Sequence, residues 1–159
     1  MKTRLATKHD LPRVIEMLKH FRDQTPIDLM RGVNDAEYIT HLYTVLINGG
    51  GLVVLAEERD AAIPAERPKI VGMCIGAIDG TIWDPKLFVM RELVYWVEPE
   101  YRGGTAGYKL LKRYSDEADA LIDSNRIKMY TISKLANSPD LDYSRFGFRK
   151  VEETWVAGV

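Results

Sequence analysis

Cysteine is almost missing: Cys74 is the only one, which excludes an internal disulfide and a cysteine-built metal site. Histidine is scarce too. His9, His20 and His41 lack metal-ligand spacing, and His20 and His41 fall on expected helices, so no metal is assigned. No apolar run approaches the roughly 18 residues of a membrane span, and no basic-then-apolar leader opens the chain, so the expected compartment is the cytosol. An excess of one charge is also lacking. The 22 Lys and Arg against 23 Asp and Glu give a net charge of -1, without the basic stripe of a nucleic-acid binder. Fixed-period repeats and low-complexity tracts do not occur.

What is present suits one ordinary domain. The 159 residues are 46% apolar and 28% charged, enough for a core without staples. Cys74 lies in the apolar run KIVGMCIGAI and reads as a small core residue. Residues 3–7 suit a first strand. Asp10 caps a helix with Pro12 in its first turn, and Leu11, Val14, Ile15, Leu18 and Phe21 keep one face of it apolar. Asn34 and Glu37 resemble a capping box for a second helix carrying Tyr38, Ile39, Leu42, Val45 and Leu46. The period then changes to that of strands at 52–58, 69–78 and 87–97. A helix follows with Ala106, Leu110, Leu111, Tyr114, Ala118, Leu121 and Ile122 on one face. A strand at 127–133, a short helix or turn near 139–146 and a last strand at 148–156 complete the order β-α-α-β-β-β-α-β-α-β.

Between the strand at 87–97 and its helix stands EPEYRGGTAGYKLLK, residues 98–112. A glycine-rich turn into a helix N-terminus gathers backbone N–H groups and the positive end of the helix dipole, which suits a phosphate or pyrophosphate. Glycine lets an anion reach those amides. G-x-x-x-x-G-K-[ST] is absent, because Tyr108 and Lys109 follow Gly107. G-x-G-x-x-G is absent as well, because Gly103 and Gly104 are adjacent. Pattern alone leaves two readings, a phosphate site or a tight strand-to-helix turn.

VEPEYRGGTAGYKLL resembles the acyl-CoA signature of the GNAT superfamily of N-acyltransferases, V-x-P-x-x-[QR]-x-x-G-x-[GA], with Val97, Pro99, Arg102, Thr105 and Gly107 in its positions. DYSRFGFRKVEE resembles the family's late Y-x-x-x-G-F segment through Tyr143, Gly147 and Phe148. The strand Arg91-Glu-Leu-Val-Tyr-Trp-Val97 is similar to one in a group of phage-encoded acetyltransferases, and for a phage-encoded protein the cytoplasm is that of the host. Together these imply an α/β fold with a mixed central sheet of six to seven strands and flanking helices, one domain over 1–159. Thr105 departs from the first motif glycine, and its hydroxyl is free to bind phosphate or to cap the helix. Only one strand fits after Tyr143 where the family has two, so the sheet is expected to be shortened or completed by a partner chain.

The resemblance implies acetyl-CoA as cosubstrate, with its pantetheine arm along Tyr95, Trp96 and Val97. The Val97 N–H polarises the thioester carbonyl, and Arg102, Gly103, Gly104, Thr105, Ala106, Gly107 and Tyr108 surround the pyrophosphate. Strand alternation requires that one of Tyr95 and Trp96 face the core. Tyr143 matches the tyrosine that bonds the CoA sulfur and serves as general acid; otherwise it is a core aromatic. Glu92, a carboxylate inside an apolar strand, is the candidate base, since burial raises its pKa; otherwise it pairs structurally with Arg91 or another cation. The acidic run Asp116-Glu117-Ala-Asp119 reads as a solvated helix face.

The expected activity is transfer of an acetyl group from acetyl-CoA to a primary amine by direct attack in a ternary complex. The acceptor, a small molecule or a peptide, is not encoded in the loops at 28–33 and 81–85. The alternatives are a non-catalytic CoA-binding or structural protein and a binder of another nucleotide, the last disfavoured by the missing phosphate-loop motifs. No nucleic acid and no membrane is expected as a partner. A homodimer is expected, with the strand at 148–156 and Trp155 at or near its interface.

Overall fold

The computed structural model describes residues 1–27, 35–42, 49–59, 62, 67–139 and 141–158. The acceptor loop at 28–33, the cap at Asn34 and the helix positions Val45 and Leu46 lie outside them. Strand β1 (Lys2–Leu5) leads to a 3₁₀ turn and helix α1 (Leu11–Gln24); helix α2 (Asp35–Leu42) follows. Strands β2 (Gly51–Glu58), β3 (Lys69–Gly80) and β4 (Phe88–Val97) come next. Helix α3 (Ala106–Asp123), strand β5 (Met129–Thr131) and a 3₁₀ turn at Tyr143–Phe146 complete the order.

Asp10 stands at the N-cap of α1 and Pro12 in its first turn, but the Asp10 side chain makes no capping bond to that helix; its carboxylate instead accepts from the Thr7 amide at 2.7 Å. Arg4 donates to both Asp10 oxygens at 2.7 and 2.8 Å, tying β1 to the helix start. That guanidinium holds the Asp10 carboxyl well below the usual carboxylate range. In α3, Lys112–Asp116 and Arg113–Glu117 pair one turn apart on the outer face.

The strands lie in spatial order β1-β2-β3-β4-β5; all neighbours are antiparallel except β4 and β5, which are parallel. The α1 side of the sheet buries Val14, Met17, Leu18, Leu55, Met73, Ile75, Val94 and Trp96. On the α3 side lie Val54, Val71, Cys74, Met90, Leu110, Leu111, Tyr114 and Ala118. Each large apolar side chain so buried contributes about 1.5–3 kcal/mol, so this two-layer packing holds the helices on the sheet.

A bulge in β4 decides which residues reach which side. Ile75 pairs with Val94 and Gly76 with Glu92, leaving Leu93 as the extra residue. The alternation therefore shifts there. Met90 and Glu92 belong to the α3 side, whereas beyond the bulge Val94 and Trp96 turn to the α1 side and Tyr95 and Val97 to the α3 side.

Two expectations are corrected. The sheet has five strands among the described residues, not six to seven. Residues 148–156 form no strand: Arg149, Lys150, Glu152 and Glu153 put charge on both faces, so no apolar face exists to bury against the sheet. Only Phe148 packs, edge-on against Tyr130 with centroids 5.4 Å apart.

Candidate functional site

The parallel β4–β5 ladder is short. Its last pair is Arg91 with Thr131, and beyond it the strands part. Glu92 stands at the vertex, where the Ser133 amide donates to its carboxylate at 2.9 Å. This bond takes the place of the next rung. Past it, β4 has lost its neighbour. The Glu98 amide donates to Val71 of β3, so Trp96 and Val94 aim their amides at β3 as well. Those of Tyr95 and Val97 point the other way, into the gap beyond β5.

Glu92 is only 7% exposed and has no cationic partner among the described residues. The structural pair with Arg91 is not formed, because Arg91 projects from the opposite face of the strand. Burial pushes the Glu92 carboxyl up to about 7, opposed by the Ser133 N–H, which favours the anion. Cys74 and Tyr114 feel the same charge, and burial raises both well above their usual values. Tyr95, half-buried, is raised by burial first and then by the neighbouring Cys74, Tyr143 and Glu92. Glu92, Tyr95 and Tyr143 thus share one desolvated region on the α3 side of the sheet.

The glycine turn follows directly. After a 3₁₀ turn at Pro99–Tyr101, Gly103 adopts φ +82°, a conformation that other residues enter at a cost, and Thr105 starts α3. The Thr105 side chain makes no capping bond, so its hydroxyl is not committed to the helix. Gly107 is small for a reason of packing: a Cβ there would sit 2.7 Å from the Tyr95 hydroxyl. Tyr108 is exposed on its outer side and packs against Phe146 with centroids 5.3 Å apart. This contact lays the Tyr143–Phe146 turn against the first turn of α3, so the two sequence motifs meet. Asp142 caps that turn by accepting the Ser144 amide at 3.1 Å, and Tyr143 packs edge-on against Phe148 at 6.5 Å.

Two expected contact residues lie elsewhere. Trp96 is in the core on the α1 side, with Phe21 edge-on at 6.1 Å. Arg102 turns to that same side: its guanidinium stacks 4.4 Å above the Trp96 ring, and its Nε donates to the Val97 carbonyl at 2.8 Å. Of the pair at 95 and 96, Tyr95 is the one facing the gap. Sequence reasoning missed Glu98, a 4% exposed carboxylate at the end of β4. Its only sequence signal is an acidic residue directly after an apolar strand.

Among the described residues, no group of three or more His, Cys, Asp and Glu is placed to hold a metal, and no helix is long and apolar enough to cross a membrane. The amides of Tyr95 and Val97 on the open edge of β4 and the glycine turn at the start of α3 are hydrogen-bond donors available to a ligand.

No protein-family model matches the chain, and no curated protein matches it in sequence. Solved structures match in fold. A predicted acetyltransferase from Clostridium acetobutylicum, in a structure with acetyl-CoA, is 18% identical with a TM-score of 0.69, covering 99% of this chain and 95% of that one. A GNAT family acetyltransferase from Staphylococcus aureus is 18% identical with a TM-score of 0.62, over 99% and 98% of the two chains. A transcriptional regulator from Bacillus halodurans is 15% identical with a TM-score of 0.66, over 99% of each. The chain has the fold of these proteins.

Proposed function

We propose that the protein is an acetyl-CoA-dependent N-acetyltransferase. The observation that carries this reading is the β4–β5 gap, where the Tyr95 and Val97 amides face an opening beside a glycine turn at a helix N-terminus. A pantetheine arm along β4 would pair its amides with that strand, and the Val97 N–H would lie where it can polarise a thioester carbonyl. The amides from Gly103 to Tyr108, with the positive end of α3, suit the diphosphate, and the Thr105 hydroxyl can add a further donor.

The reaction is attack of a neutral amine on the thioester. Glu92, with a pKa of about 7, is half ionised near neutrality and serves as the base, directly or through a water. Tyr143 serves as the acid toward the leaving sulfur. Both partners are held in one ternary complex, and the acceptor is a primary amine on a small molecule or a peptide. A free-thiol release assay over a panel of amines tests the reading. Release that depends on both acetyl-CoA and an amine supports it; CoA binding without release on any amine contradicts it.

That second outcome has a reading of its own, a non-catalytic CoA-binding protein. The shared fold of the Bacillus halodurans regulator favours keeping it, since one fold serves unrelated functions.

A further inference from the structure

Glu98 closes β4, immediately before Pro99, and the proposed chemistry does not use it. A carboxylate this deeply buried persists only when donors surround it, and this one has donors from two directions. From α1, Arg13 donates to Oε1 at 2.7 Å, while the His20 Nδ1 lies 3.0 and 3.1 Å from the two oxygens. From its own strand, the Trp96 indole N–H donates to Oε2 at 3.3 Å. Arg13 also donates to the Ile70 carbonyl at 3.1 Å, so the guanidinium itself is fixed on β3.

We propose that Glu98 is a positioning residue for the glycine turn: its carboxylate fixes the Trp96 indole on which the Arg102 guanidinium rests, and so holds the start of the turn on the end of β4. The sequence of contacts is continuous. Glu98 orients the indole; Phe21 supports one side of the ring, and Arg102 stacks on it at 4.4 Å. Arg102 then donates to the Val97 carbonyl at 2.8 Å and to the Gln24 side chain at 3.2 Å. Arg102 directly precedes Gly103, whose left-handed backbone begins the turn into α3. His20 of α1 lies near both carboxylate oxygens, but Oε2 also accepts from the Trp96 indole of β4, so the carboxylate ties the indole as well as α1. The inference rests on the acetyl-CoA reading of the turn.

Titration calorimetry with CoA as the probe, on the full chain, tests it. Glu98→Gln keeps the shape and removes the charge. Its Kd for CoA should rise about tenfold, with turnover at saturating acetyl-CoA within about twofold of wild type. Glu98→Asp should fall between. Arg102→Gln should weaken CoA binding similarly, and combining it with Glu98→Gln should add little, because both act through one contact path. If Glu98→Gln does not fold, His20→Gln replaces it, with an expected rise of about threefold. A folded variant with a lowered Tm and a wild-type Kd for CoA overturns the proposal, leaving Glu98 as a fastener of α1. Wild type that itself fails to bind CoA overturns the acetyl-CoA reading and this inference with it.

Discussion

At the scale of single residues, Glu92 combines two consequences of one burial. Its carboxyl is shifted from 4.5 to about 7, so in that window the folded chain keeps a proton that the unfolded chain releases. Stability therefore falls as pH rises through the window, by about 3 kcal/mol in all. Glu92→Gln removes this cost of ionisation, and should melt higher than wild type at pH 8.5 but not at pH 5. The same substitution should lower turnover on the order of a hundredfold and erase a rising limb of rate with pH near 7. A limb that persists in the variant means that another group is the base. Tyr143→Phe removes only a hydroxyl; turnover should fall while the Kd for CoA stays near wild type, and unaltered turnover would make Tyr143 packing alone. Glu92 was legible because a carboxylate in an apolar strand is conspicuous. Its partner was not, since the Ser133 amide, 41 residues further along the chain, arrives only past the end of β5, where pairing with β4 has stopped. Glu98 was missed because an acidic residue before proline looks like any strand end.

At the scale of elements, the strand, turn and helix from Phe88 to Asp123 were legible as one unit, because period and glycine placement agree. The reason for one glycine was not. Room for an anion accounts for glycines on the open side of a turn, but Gly107 faces β4, and the Tyr95 hydroxyl occupies the space where its Cβ would be. Gly107→Ala should therefore cost about 1–3 kcal/mol and weaken CoA binding by pushing the start of α3 off the strand. Adding Tyr95→Phe removes the obstructing oxygen and should restore much of the melting temperature. If the double variant melts no higher than Gly107→Ala, the contact is not the cause. The bulge at Leu93 was also invisible in sequence. It requires no glycine or proline, yet it is what puts Glu92 and Tyr95 on one side and Trp96 on the other.

At the scale of the whole molecule, the order of elements carried the α/β fold, and local patterning carried most boundaries. The count of strands failed at 148–156, where strand-like composition had no apolar face to make it pair. That segment leaves Trp155 88% exposed, with Val151 and Val156 exposed beside it, which keeps the expected homodimer as a proposal. Sedimentation at micromolar concentration should show a dimer that Trp155→Ala weakens; a wild-type monomer would end the idea. The central claim is that the β4–β5 gap and the glycine turn hold an acyl-CoA. Thermal melts of wild type with acetyl-CoA, CoA, ATP and NAD test it most directly, since a ligand that binds only the folded state raises the Tm. Acetyl-CoA and CoA should each raise the Tm, while ATP and NAD leave it nearly unchanged. No shift with either CoA ligand, or an equal shift with all four, would contradict the account.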